Sequence, residues 1–200
     1  MKPIANFMLG VLSICMSLSV HADNTATNLP GNTSTENQGQ WVGKPAPAFR
    51  LQDQTKKWQS LDQYKDKWLA LYFYPKDGTP GCTLEAKQFR DLYPEFKKNN
   101  AAVLGVSLDD VASHEKFSND LNLPFPLLAD SDHQLAQSFN VIKNFGIIKV
   151  AKRETFLIDP KGIIVYHYVS VDSQTHAQQV LDDIKRLSPA FIKQPAQGKK

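Results

Sequence analysis

Apolar and polar positions fall into blocks along most of the chain. "WLALYFY", Trp68 to Tyr74, is apolar without interruption, the pattern of a strand buried on both faces of a sheet. The polar, turn-forming stretch that follows ends in a helix start. Thr79 stands where an N-cap belongs and Pro80 at the first helical position, where its missing N–H costs nothing. Ala86, Phe89, Tyr93 and Phe96 then share one helical face, and Pro94 predicts a kink or restart in that helix. "AVLGVSL", Ala102 to Leu108, is the next strand, which makes a strand–helix–strand crossover with parallel pairing. Asp109 and Asp110 open a helix to about Leu121, ended before "LPFP", and a short helix is expected over His133 to Phe139. In the final third, "TFLI" and "IIVYHYV" flank Asp159-Pro160-Lys161-Gly162, with Asp, Pro and Gly at the first, second and fourth places of a type I turn, so a hairpin is expected. A last helix carries Ala177, Val180, Leu181, Ile184 and Leu187 on one face.

A parallel βαβ unit followed by an antiparallel ββα unit predicts an α/β, thioredoxin-like fold with a mixed central sheet flanked by helices. The chain's 200 residues suffice for one domain with a sizeable core. The formal charge of +3, with no basic run, argues against a nucleic-acid partner.

The ends are different in kind. Lys2, an apolar stretch from Ile4 to Val20 and the small-residue site Val20-His21-Ala22 predict a signal peptide over residues 1–22, hence export, to the periplasm in a bacterium, without stable membrane insertion. Residues 23–40 hold almost nothing apolar and read as a flexible polar leader. The domain is expected over 41–190, followed by a polar tail over 191–200. The chain has two cysteines, Cys15 and Cys82; cleavage after Ala22 removes the first.

Exported proteins sit in oxidising compartments, where cysteines usually pair. A lone thiol there is by default an inert, buried small hydrophobe. The neighbours of Cys82 weigh against that default. It falls at the third position of a helix that follows a central strand, where free N–H groups and the helix dipole favour an anion. A helix terminus supplies at most about 2 kcal/mol, less than a reactive thiolate needs, so a cation and a hydroxyl must contribute the rest. Thr79, three residues earlier, offers the hydroxyl at helical spacing.

Pro75, Thr79 and Cys82 match the peroxiredoxin active-site pattern Pro-x-x-x-Thr/Ser-x-x-Cys, and "YFYPKDGTPGCTLEA" resembles the bacterioferritin comigratory protein, or peroxiredoxin Q, subfamily. The likeness runs from about Val42 to Leu187 and includes "VLGVSLD", "PFPLLADSDHQLAQSFNV" and "RETFLIDPKG". It implies a thiol peroxidase that reduces hydrogen peroxide and organic hydroperoxides through a sulfenic acid on Cys82. In that reading Thr79 bonds thiolate and peroxide, the Cys82 N–H helps hold the peroxide oxygens, and Pro75 shields the thiolate. Arg153 supplies the cation and Glu85 orients it. Many members carry a resolving cysteine five residues after the peroxidatic one. Here that position is Lys87. The resemblance therefore implies a one-cysteine enzyme with no bound cofactor, resolved by an external thiol: thioredoxin, glutaredoxin or glutathione.

The competing chemistries fit less well. A disulfide reductase needs Cys-x-x-Cys, which is absent. A cysteine hydrolase needs a histidine base, and His114, His133, His167 and His176 are scattered, as core or solvated histidines are. No cluster has metal-ligand spacing. A non-enzymatic peroxide sensor or chaperone is the alternative from another class. Short loops and the lack of an interface stripe favour a monomer.

Overall fold

The computed structural model describes residues 40–188. The expected signal peptide, all but the last residue of the expected leader, and the expected tail lie outside the described residues. The elements in chain order are β1 (Arg50–Gln52), β2 (Trp58–Ser60), β3 (Trp68–Phe73), α1 (Pro80–Lys98), β4 (Ala101–Ser107), α2 (Val111–Leu121), β5 (Leu127–Ala129), α3 (Gln134–Ser138), β6 (Ile142–Phe145), β7 (Ile148–Ala151), β8 (Glu154–Ile158), β9 (Ile164–Tyr168) and α4 (His176–Leu187). The main sheet has the order β5-β4-β3-β8-β9. β3 pairs parallel with β4, and β4 with β5; β3 pairs antiparallel with β8, and β8 with β9. This is the mixed, thioredoxin-like sheet expected from the crossover and the hairpin.

β3 is central because every one of its residues is buried, so both faces of the strand must be apolar. Alternate residues feed two cores. Trp68, Ala70 and Tyr72 pack with Phe89 and Phe96 of α1 and Val180, Leu181 and Ile184 of α4. Leu69, Leu71 and Phe73 pack with Ala136 of α3, Phe139 and Phe156. The β8–β9 turn is built as its residues foretold. Gly162 N–H donates to the Asp159 carbonyl at 2.9 Å with Gly162 at φ +82°, and Asp159 Oδ1 accepts from the N–H groups of Lys161 and Ile163.

Two features depart from the sequence reading. The helix expected to kink or restart at Pro94 does not restart there: it is one helix from Pro80 to Lys98, with Pro94 inside it. Pro94 lies on its exposed side, while Phe89 and Phe96 hold the buried face on either side. The short strands β1, β2, β5, β6 and β7 went unread. Three or four residues are too few to display a period of two, and β5 follows Pro124 and Pro126.

Candidate active site

The site forms where β3 leaves the sheet. Its antiparallel register with β8 pairs Phe73 with Glu154, so Arg153 lies beside the segment that leads from Tyr74 into α1. Arg153 Nη2 lies 3.2 Å from Cys82 Sγ, and Arg153 Nη1 donates to Glu85 Oε2. Cys82 and Glu85, three residues apart on α1, share a face, which lets one guanidinium bridge both. Cys82 is 1% exposed. The helix ladder begins with Thr83 N–H donating to the Thr79 carbonyl, so the N–H groups of Gly81 and Cys82 precede it and have no partner among the described residues, which leaves them to meet an anion.

Gly81 has a second role that its low helix propensity conceals. A Cβ there would sit 3.1 Å from Arg153 Nη2, so the absence of a side chain is what lets the guanidinium lie against the helix start. Glu85 is wholly buried. Burial pushes its carboxyl up to about 7, against the opposing pull of Arg153, and its Oε1 has no hydrogen-bond partner among the described residues. Arg153 also borders a cleft of about 670 Å³, lined by Pro75, Phe145, Val150, Val169 and Val171 among others.

Thr79 is placed differently from the expectation. It occupies the N-cap position with extended backbone, yet its side chain makes no capping bond. Its hydroxyl donates to the Lys76 carbonyl at 3.1 Å. A hydroxyl has one proton, and the loop carbonyl takes it in place of the sulfur.

The loop itself is held by groups that the sequence reading passed over. Asp77 accepts from Tyr74 Oη at 2.7 Å and Ser113 Oγ at 2.8 Å, sits 2.8 Å from His114 Nδ1, and its own N–H donates to Asp109 at 2.9 Å. Burial pushes the Asp77 carboxyl up, but the bonds to His114, Tyr74 and Ser113 outweigh it and hold the group below the usual carboxylate range. His114, His167 and His176 are buried, as the core-histidine reading expected, and each is hydrogen-bonded. An aspartate–histidine pair 37 residues apart leaves no local pattern in sequence; the only available signal was the pair of turn residues Asp77-Gly78.

Comparison with known proteins agrees with this geometry. Residues 42–167 match the AhpC/TSA family. The chain is 41% identical over 151 residues to peroxiredoxin Bcp of Bacillus subtilis, covering 74% of this chain and 96% of that one. It is 40% identical over 147 residues to the chloroplastic peroxiredoxin Q of Triticum aestivum, covering 72% and 67%. Among solved structures, the bacterioferritin comigratory protein of Xanthomonas campestris, studied for its alkyl peroxide reduction activity, superposes with a TM-score of 0.67 at 38% identity, over 70% of this chain and 92% of that one. A match that spans the βαβ unit, the cysteine-bearing helix start and β8 leaves one conclusion: the chain belongs to the AhpC/TSA family, in its bacterioferritin comigratory protein and peroxiredoxin Q branch, and is a peroxiredoxin, a thiol peroxidase.

Proposed function

We propose that this peroxiredoxin is a one-cysteine enzyme in which Cys82 reduces hydrogen peroxide and organic hydroperoxides and an external thiol completes the cycle. The observation that carries the assignment of roles is the Arg153 guanidinium bridging Cys82 Sγ and Glu85. The cation stabilises a Cys82 thiolate and the negative charge that develops on the peroxide oxygens, while Glu85 fixes its orientation. The thiolate attacks the terminal oxygen of ROOH. A sulfur–oxygen bond forms, the oxygen–oxygen bond breaks, and the leaving oxygen takes up a proton to depart as water or an alcohol. The sulfur is left as sulfenic acid. A first external thiol condenses with it, releasing water and forming a mixed disulfide; a second thiol displaces Cys82 and leaves as the oxidised disulfide. The free N–H groups at the start of α1 and Pro75 at the cleft wall hold the peroxide and exclude bulk water. Thr79 serves this step once its hydroxyl turns from the Lys76 carbonyl to the peroxide.

The external resolver follows from the sequence, which places Lys87 at the position of the usual second cysteine and Cys15 in a segment read as a cleaved signal peptide. We infer export to the periplasm from the signal-peptide pattern of residues 1–22, and a monomeric mature protein from the short loops and the lack of an interface stripe; the mass of the secreted chain and sedimentation velocity check both. Peroxide consumption, measured with a panel of thiol donors, tests the function. Parent protein is expected to turn over repeatedly with at least one donor, and Cys82→Ser to be inactive while unfolding like the parent. Consumption that stops after one equivalent with every donor would instead make the protein a peroxide sensor.

A further inference from the structure

The hairpin β6–β7 is a two-stranded sheet of its own, separate from the main sheet. At its turn, Gly146-Ile147, the chain presents Ile147 at 100% exposure, with Ile148 at 60% and Phe145 at 56%. Such side chains are ordinarily withdrawn from water, and three together at one projecting turn form a patch that calls for an occupant. The surroundings say which. Residues 140–153 contain Lys143, Lys149, Lys152 and Arg153 and no acidic residue. Lys143 lies on β6 with its Nζ 4.9 Å from the Phe145 ring centroid, and Lys149 lies on β7. Apolar side chains at a turn with lysines on both strands behind them match the layering of an anionic bilayer surface, acyl chains below and phosphates above. The shape agrees. A narrow, convex tip offers little of the broad flat area that a stable protein–protein contact buries, but it suits entry into fluid acyl chains.

Register links this tip to the site. Phe145 pairs with Ile148 and Lys143 with Val150, so these four residues share one face of the hairpin. Lys143, Phe145 and Val150 also line the cleft that ends at Arg153, whose Nη2 touches Cys82 Sγ. The cleft, whose lining also includes Lys152 and Glu154, thus runs from the turn to the arginine.

We propose that the β6–β7 tip docks on anionic bilayers, with Phe145, Ile147 and Ile148 among the acyl chains and Lys143 and Lys149 on headgroup phosphates. The docking does not depend on the peroxidase reading above.

The test is sedimentation of the full chain with vesicles of phosphatidylcholine alone, or with about one part in three phosphatidylglycerol. The parent is expected to partition about tenfold or more onto the anionic vesicles, as two lysines near such a surface supply, and to be released by raised salt. Ile147→Asn/Ile148→Asn and Lys143→Glu/Lys149→Glu should each lose that gain. In Ile147→Trp the added indole emission should shift to shorter wavelength on anionic vesicles and be quenched by brominated acyl chains. The proposal is overturned if the parent stays in the supernatant, or if parent and variants sediment alike because the apolar stretch from Ile4 to Val20 carries the binding. Tip-dependent self-association without vesicle binding overturns it equally. Sedimentation reads binding and not turnover, so its failure leaves the peroxidase reading intact, and loss of turnover leaves the docking result intact.

Discussion

Removing the Arg153 guanidinium should destabilise the protein in a pH-dependent way, and removing the Glu85 charge at the same time should restore stability without restoring activity. The Glu85 carboxyl, pushed up to about 7 by burial and only partly relieved by Arg153, holds a proton in the folded state at pH values where the unfolded chain has lost it. The sign follows from linkage: between about pH 4 and pH 7 the folded state binds the extra proton, so stability falls as pH rises, by about 3 kcal/mol in all. In Arg153→Ala the buried carboxylate loses its cation. A buried carboxyl left without its cation takes up a proton, which from about 7 costs about 1.4 kcal/mol at pH 8, so the loss expected there is about 2 to 3 kcal/mol. At pH 5 Glu85 is protonated with or without Arg153, and the loss should shrink to about 1 kcal/mol. In Arg153→Ala/Glu85→Gln no buried charge remains, so its stability should stay within about 1 kcal/mol of Glu85→Gln at both pH values. His176 contributes the opposite slope. Burial, with a smaller push from the Arg153 charge, brings its pKa down to about 4, so the unfolded state binds the extra proton on acidification; the burial part is common to all four proteins, and comparing each Arg153 variant with its Arg153-bearing counterpart leaves only the smaller Arg153 part. Urea unfolding followed by tryptophan fluorescence at pH 5 and pH 8 measures the stabilities, and peroxide consumption measures the chemistry. Both Arg153 variants should lose roughly a hundredfold in rate, the scale of one charged donor at a reacting group. An Arg153→Ala penalty that is equal at the two pH values, or a Glu85→Gln change that fails to rescue it, would refute the pairing argument.

Two further substitutions probe the helix start. Gly81→Ala should leave stability within about 1 kcal/mol of the parent, since the helix gains propensity, while the new Cβ displaces Arg153 Nη2 and lowers the peroxide rate several-fold. Stopped-flow rates beside urea curves check this, and an unchanged rate would show that the guanidinium yields freely. Lys87→Cys creates a pair separated by about 7.5 Å of helical rise, beyond the roughly 7 Å that a disulfide spans, with Lys87 exposed and Cys82 buried. Peroxide should nonetheless yield an intramolecular disulfide by unwinding the first turn of α1, seen as a loss of two hydrogens by intact mass, and a thioredoxin-type reductant should then support turnover better than it does for the parent. Persistence of sulfenic acid or overoxidation would mean that this helix start is too rigid to open.

Local patterns were enough for the strand of unbroken apolar residues, the amphipathic faces of α1 and α4, the Asp159–Gly162 turn and the helix start that carries Cys82. Each is decided by an unbroken apolar run, by a period of 3.6 residues or by the φ preferences of Pro and Gly within a few positions. At Pro94 these local rules could not tell a kink from a restart, and the two buried phenylalanines on the opposite face show what keeps the helix continuous there. They were silent on β1, β2, β5, β6 and β7, which are too short to show a period. Family resemblance pointed to Arg153, but only the β3–β8 register brings it to a sulfur 71 residues earlier in the chain. Likewise Thr79 stood at its expected N-cap, and only the folded loop decided that its hydroxyl would bond the Lys76 carbonyl. The Asp77–His114 clasp, the space that Gly81 leaves for the guanidinium and the cleft that joins Arg153 to the β6–β7 tip are all of this second kind. They depend on which distant side chains burial brings within reach, and periodicity within one segment carries no information about what packs against it.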